Sequence, residues 1–213
     1  MKIVIRQILA ALAVLAALAA PALAAPRGVP LTAEDKAAVT QAEQYLNSIQ
    51  TLQSKFLQVA SNGKPVGGTF YLSRPGRMRL EYDPPIRDFV VADGRFLHYW
   101  DGEMEQPSTT SIGSTLADFI LRPQIRLAGD VTVTEVYRTP GVVEITLIET
   151  KDPGKGALTL VFEDRPFQLR KWRVMDAQGL TTEVALLNPR QGVQLDPDLF
   201  IFREPARRRD LFR

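Results

Sequence analysis

Cysteine is absent from this chain of 213 residues, and histidine occurs once, at His98. Those shortages exclude disulfides, thiolate chemistry, cysteine-based metal sites and any multi-histidine centre, and they leave a Ser-His-Asp triad hanging on one imidazole. A Gly-x-Ser-x-Gly elbow, a phosphate-cradling glycine loop and a His-Glu-x-x-His helix are missing as well. His98 falls mid-strand beside Tyr99 and Trp100, where a packed or rim histidine is the ordinary outcome. Asp93 and Asp101 each precede a glycine and are accounted for as turn formers. The expectation is a non-enzyme, with no catalytic residue, no metal site and no cofactor.

A surplus of charge is lacking too. Lys and Arg number 26 against 24 Asp and Glu, so the formal net charge is +2. Long apolar runs are confined to the start of the chain. There Lys2 and Arg6 precede an almost purely Ala, Leu, Val and Ile stretch from Ile8 to Ala20. Pro21 ends it, and Ala22-Leu23-Ala24 offers small residues where a signal peptidase looks for them. The reading is a signal peptide over residues 1–24, too short for a comfortable membrane span, cleaved after Ala24 to release a soluble, periplasmic protein. Loss of Lys2 and Arg6 brings the net charge to zero (2 − 2 = 0). Export and a neutral body both argue against nucleic acid as a partner. One domain is expected over residues 25–205, followed by a basic tail, 206–213, that carries Arg207, Arg208, Arg209 and Arg213.

What is present is mostly alternation. Thr32-Ala33-Glu34-Asp35 has the form of a capping box, and Ala38, Ala42, Tyr45, Leu46 and Ile49 recur behind it at helical spacing. From Leu52 the period becomes two. Strands are predicted at 54–60, 67–73, 77–82, 88–92, 96–100, 104–109, 131–138, 142–149, 157–163, 169–176 and 180–187. Asn62-Gly63, Asp93-Gly94, Asp101-Gly102, Pro140-Gly141 and Gln178-Gly179 supply tight turns between them. A short helix over 114–121 interrupts the series, with Ser114 as its cap, Leu116, Phe119 and Ile120 on one face, and Pro123 as its stop. The fold class is therefore mainly β with helices. It is an incomplete antiparallel barrel of about eleven strands whose concave face is covered by the N-terminal helix and the mid-chain helix.

Along the second and third strands the faces separate. Phe70, Leu72 and Arg74 share one side. Met78, Leu80 and Tyr82 are the apolar side of the next strand, and Arg77, Arg79 and Glu81 are its charged side, the pattern of a sheet with one wet face. Periodicity of this kind is that of an ordinary packed core. What points to a lipid-binding hollow instead is the large, flexible or aromatic character of Phe70, Met78 and Tyr82. Arg74 is the odd member. Either it reaches water at the strand end, or it bonds exposed carbonyls at a helix end and holds a lid closed over the hollow.

The stretches LQSKFLQ (52–58), GTFYLSRPGRMR (68–79), DGRFLHYWD (93–101) and LDPDLFIF (195–202), in this order and spacing, resemble the LolA family of periplasmic lipoprotein carriers. The resemblance implies an incomplete barrel under helices, with a hydrophobic cavity between them, and a monomer that carries lipoproteins by their acyl chains. Its implied partners are an inner-membrane ABC-type release complex and an outer-membrane lipoprotein receptor. It also implies that Arg74, in the Arg74-Pro75 pair, keeps the lid closed, and that Met78 lines the cavity. The C-terminal Arg207-Arg208-Arg209 and Leu211-Phe212 depart from the family pattern, which leaves docking to a separate receptor open. Two other readings remain: a periplasmic lipid-binding or envelope-stress sensor of the same fold, and a scaffold whose core is simply full.

Overall fold

The structure is a computed structural model, and it describes residues 30–114 and 117–206. Helix α1 (Ala33–Ser48) begins as the capping box requires. The Asp35 N–H donates to Thr32 Oγ1 at 3.1 Å, and the Thr32 N–H donates to Asp35 Oδ2 at 3.0 Å. Two residues beyond its end the chain enters a single antiparallel sheet. The strands are β1 (Thr51–Ala60), β2 (Pro65–Ser73), β3 (Arg77–Tyr82), β4 (Phe89–Asp93), β5 (Phe96–Asp101), β6 (Gln106–Ser111), β7 (Val131–Thr139), β8 (Val142–Glu149), β9 (Gly156–Asp164), β10 (Phe167–Asp176) and β11 (Thr181–Gln191). Their order across the sheet is β6-β5-β4-β3-β2-β1-β11-β10-β9-β8-β7. Two meanders are thus joined by the pairing of β1 with β11, and β6 and β7 are the two edges of an unclosed barrel.

All eleven predicted strands are present, each within a few residues of its expected limits. The mid-chain helix is shorter than expected. A 3₁₀ turn at Ile112–Ser114 and a five-residue helix α2 (Ala117–Leu121) stand where 114–121 was read as one helix. Leu116 lies outside the described residues, as do residues 1–29, which include the expected signal peptide 1–24, and residues 207–213 of the expected basic tail.

Burial follows the alternation. Gly68, Phe70, Leu72 and Arg74 are buried, whereas Thr69, Tyr71 and Ser73 are only partly so. Gly68 is required for space: a Cβ there would lie 2.6 Å from the Phe56 ring and 2.1 Å from the Glu81 carbonyl oxygen. Curling of the sheet brings distant strands together inside. Phe70 of β2 meets Trp172 of β10 edge-on at 6.0 Å, and Tyr45 of α1 meets Phe162 of β9 at 6.0 Å. One hydrophobic cluster fills this interior, drawing on α1, α2, the segment after α2 and nearly every strand.

The outer face is not uniformly wet. Across β8 to β11 it carries an ion-pair lattice, with Arg173 held between Glu144 and Glu183 and with Lys171 also on Glu183. Over β3 to β5 the expectation of a solvated face needs correction. Residues 195–202 cross there as a C-terminal strap around a 3₁₀ turn (Pro197–Phe200), sealing a second cluster of Phe89, Val91 and Trp100 against Phe202. The arginines that marked this face as polar lie over rings: the Arg79 Cζ is 4.8 Å from the Phe89 centroid, and that of Arg77 is 5.8 Å from the Phe200 centroid.

Candidate functional site

The geometry converges on Arg74. It leaves the end of β2 on the same face as Phe70 and Leu72, and its side chain is buried with only 7% of the residue exposed. No carboxylate pairs with it among the described residues. Its acceptors are backbone carbonyls at the ends of both covering helices. Nη1 donates to the carbonyls of Leu46 (2.6 Å) and Ile49 (3.3 Å) at the close of α1. Nη2 donates to those of Arg122 (2.6 Å) and Pro123 (3.3 Å) just after α2, and Nε donates to Arg122 at 3.0 Å. Helix C-termini leave carbonyls without intrahelical partners and carry partial negative charge, so a cation satisfies both needs at once. Burial lowers the pKa of Arg74 from its ordinary value, yet an arginine still holds its charge at any physiological pH.

Backbone bonds fix the same corner. The Arg74 N–H donates to the Gln50 carbonyl at the joint between α1 and β1, and the Gly76 N–H donates to the Leu121 carbonyl that ends α2. The far end of α1 is held differently: Arg138 of β7 reaches Glu34 and Asp35, both at 3.0 Å, on the surface. Asp35 has its pKa lowered, first by the Thr32 hydroxyl and backbone and last by Arg138.

Beneath the helices, Phe70, Leu72, Met78 and Phe119 are buried in the inner cluster, and Leu80, Tyr82 and Ile120 are half-buried against it. The structure brings all seven into one apolar interior. Where the resemblance implies a hollow, these side chains pack in one cluster with residues of α1 and α2. Two open surface clefts of about 390 and 190 Å³ lie elsewhere, one at the turns 139–141 and 163–165, the other at the β3–β4 connection around Ile86–Phe89.

Several contributors escaped the sequence reading. Ile125 and Leu127, on the irregular segment after α2, are as deeply buried as Phe56 of β1. Phe162, Phe167 and Trp172 form the aromatic wall facing α1 and β2. The only signal for the first pair was two aliphatic residues spaced by two in RPQIRLAGD. At the rim, Tyr82 donates to Gln58 Oε1 and Tyr99 to Asp88 Oδ2. Burial, with Asp88 adding to it, raises both phenol pKa values. His98 sits outside the inner site, stacked on Phe202 at 4.7 Å and bonded to Asp93 and Thr109.

With this geometry in hand, likeness to known proteins can be placed on it. The family model described as outer membrane lipoprotein carrier protein LolA matches residues 47–203, from the last turn of α1 through the strap. An outer-membrane lipoprotein carrier protein of Methylococcus capsulatus is 30% identical over 170 residues, 76% of this chain and 81% of that one. Another, of Chromobacterium violaceum, is 28% identical over 198 residues, 88% of this chain and 92% of its own. Among solved structures, an uncharacterized conserved protein from Thermus thermophilus superposes with a TM-score of 0.50 at 11% identity, over 80% of this chain and 96% of that one, a likeness of fold.

Proposed function

Since the chain belongs to the LolA family of outer membrane lipoprotein carrier proteins, we propose that it is an exported carrier. In this reading it covers the acyl chains of lipoproteins with its inner face and passes them across the periplasm. The donor is an inner-membrane ABC-type release complex, and the acceptor is a receptor at the outer membrane. Phe70, Leu72, Met78, Leu80, Tyr82, Phe119 and Ile120 are the proposed acyl-chain contacts, with Leu116 beside them in sequence. Arg74 is the proposed latch. Among the described residues no helix is long and apolar enough to cross a membrane.

The observation that carries the proposal is the bonding of Arg74 to both helix ends over a continuous apolar lining. Magnitudes explain why a shuttle needs such a device. Burying two long acyl chains at about 0.8 kcal/mol per methylene gives on the order of 20 kcal/mol, near the ceiling of non-covalent affinity and hard to reverse. Hydrogen bonds from a charged donor contribute about 1.5–3 kcal/mol each. Four carbonyl acceptors on Arg74 thus represent on the order of 10 kcal/mol at most, set against loading. Closing the lid regains those bonds and refills the interior with side chains, which favours release.

The test is a hand-off assay with spheroplasts and a labelled lipoprotein. Wild type should draw the lipoprotein into solution and then surrender it to outer-membrane vesicles. Arg74→Leu should fold and load but deliver at least about tenfold less, the equivalent of losing one charged hydrogen bond. Delivery at the wild-type rate would remove the latch. Failure of wild type to release any lipoprotein would remove the carrier reading itself.

A further inference from the structure

The segment that follows α2 is bonded to α1 almost as an extra strand would be, but by side chains. Asn47 presents its amide edge to one residue of that segment: the Ile125 N–H donates to Asn47 Oδ1 at 2.8 Å, and Asn47 Nδ2 donates to the Ile125 carbonyl at 2.8 Å. One turn earlier on the same helix, Glu43 Oε1 accepts the Leu127 N–H at 2.6 Å. The spacing of four along α1 matches the spacing of two along an extended chain, so the two polar side chains sit in register with it. Between them Ile125 and Leu127 turn inward, each only 2% exposed. The segment is stiffened from within as well, since Arg122 pairs with Asp118 at 2.7 Å and with Asp130 at 3.1 Å.

We infer that Glu43 and Asn47 are coupling residues, which bind the segment 122–127 to α1 so that α1 and α2 leave and rejoin the sheet as one body. This rests on the reading of the helices as a lid. It explains why a single arginine grips both of their ends: Arg74 Nη2 lies 3.5 Å from Asn47 Oδ1, at the point where α1, the segment and β2 meet. Without the clamp, α2 and its buried Ile125 and Leu127 could lift while α1 stayed seated, uncovering half of the lining and leaving Arg74 partly satisfied. With it, opening is all or none. Buried backbone groups without their partners carry a desolvation cost, so the segment has no stable position half-detached from α1.

The absence of cysteine lets spin labels be placed cleanly at exposed Gln41 on α1, Gln124 on the segment and Gln178 in the β10–β11 turn. In wild type the 41–124 distance should be single and narrow. In Arg74→Leu the 41–178 and 124–178 distances should both spread while 41–124 stays narrow. Adding Glu43→Ala and Asn47→Ala should broaden 41–124, whereas Glu43→Gln, which keeps the acceptor, should preserve it. A broad 41–124 distance in Arg74→Leu alone, or a narrow one after both clamps are gone, overturns the coupling. Should Arg74→Leu leave both distances to Gln178 unmoved, the latch fails by itself. The clamp variants are then read with Arg74 intact in urea just below unfolding, where a 41–124 distance that is broad in wild type, or narrow after both clamps are gone, overturns the coupling.

Discussion

Two regions of this molecule solve one problem in opposite ways. Inside, an apolar sheet face is covered by α1 and α2. Outside, a smaller apolar face on β3 to β5 is covered by the C-terminal strap. An arginine tethers each cover, since Arg74 holds helix-end carbonyls and Arg79 holds the Leu199 carbonyl at 3.2 Å. The difference lies in what stands behind the tether. The inner cover meets the sheet through Ala38, Ala42 and Leu46 and through Tyr45, edge-on to Phe162 and Phe167, and its polar anchors are carbonyls that water could satisfy equally well. The outer cover is a stack of rings, with Phe89 at 6.3 Å from Trp100 and 5.8 Å from Phe202, for which water offers no substitute. On the proposed reading, a lid and a permanent seam need not differ in the charge of their tether. They differ in whether the bonds broken on opening can be remade elsewhere.

The sharpest way to break that comparison is at Trp100, which is almost wholly buried beneath the strap. Trp100→Ala should lower unfolding stability by about 3–5 kcal/mol, measured by urea denaturation. Its uptake of lipoprotein, assayed where the variant is still folded, should match wild type. Should stability hold while uptake falls, the seam and the lid would have exchanged roles.

A change of pH should separate the regions next. Tyr45 and Tyr82 belong to the inner side, and Tyr99 stands at its rim. Burial raises the pKa of all three, and Asp88 contributes at Tyr82 and Tyr99. A group whose folded pKa is raised gives stability that is complete below its unfolded value, about 10 for tyrosine, and lost as pH climbs beyond it. Asp93, in the outer region, moves the other way. Burial alone would raise its pKa, but the backbone N–H donors of Phe96 and Arg95, together with His98, outweigh it and lower the value. Its contribution is present above the ordinary carboxylate range and lost as pH falls through the lowered value. Alkali should thus loosen the inner side first, whereas acid should act on the outer side through Asp93 and on the exposed start of α1 through Asp35. Phenolate absorbance completed in one step near pH 10 would count against the first half.

How much of this was legible in sequence divides along the same line. The inner face was readable because a strand with one buried side alternates, and Phe70, Leu72 and Met78 announced it. So were the capping box and the odd placement of Arg74, since a guanidinium among apolar neighbours must have acceptors. The outer seam was not. Arg77 and Arg79 count as polar in any alternation, yet their stems and planar heads cover Phe200 and Phe89. The strap has no period at all, and LDPDLFIF carried resemblance without carrying a position. Glu43 and Asn47 were hidden for a related reason. Their partners lie 84 and 78 residues away on a segment without secondary structure, and no local pattern encodes such a pairing.

The smallest effect is expected at the far end of α1. Arg138 and Arg74 carry the same charge and hold the same helix, but Arg138 does so on the surface, where its partner Glu34 keeps 82% of its side chain exposed. Exposed pairs contribute little and are screened as the Debye length shrinks to about 3 Å in 1 M salt. Arg138→Gln should therefore lower stability only slightly, and high salt should erase its difference from wild type. Arg74→Leu should differ from wild type by the same amount at low and high salt, because its carbonyl partners are dipoles in a site that ions do not enter. A salt-dependent Arg74 effect would mean that the corner of the sheet is open to solvent, and the distinction between a buried latch and a surface clasp would be lost.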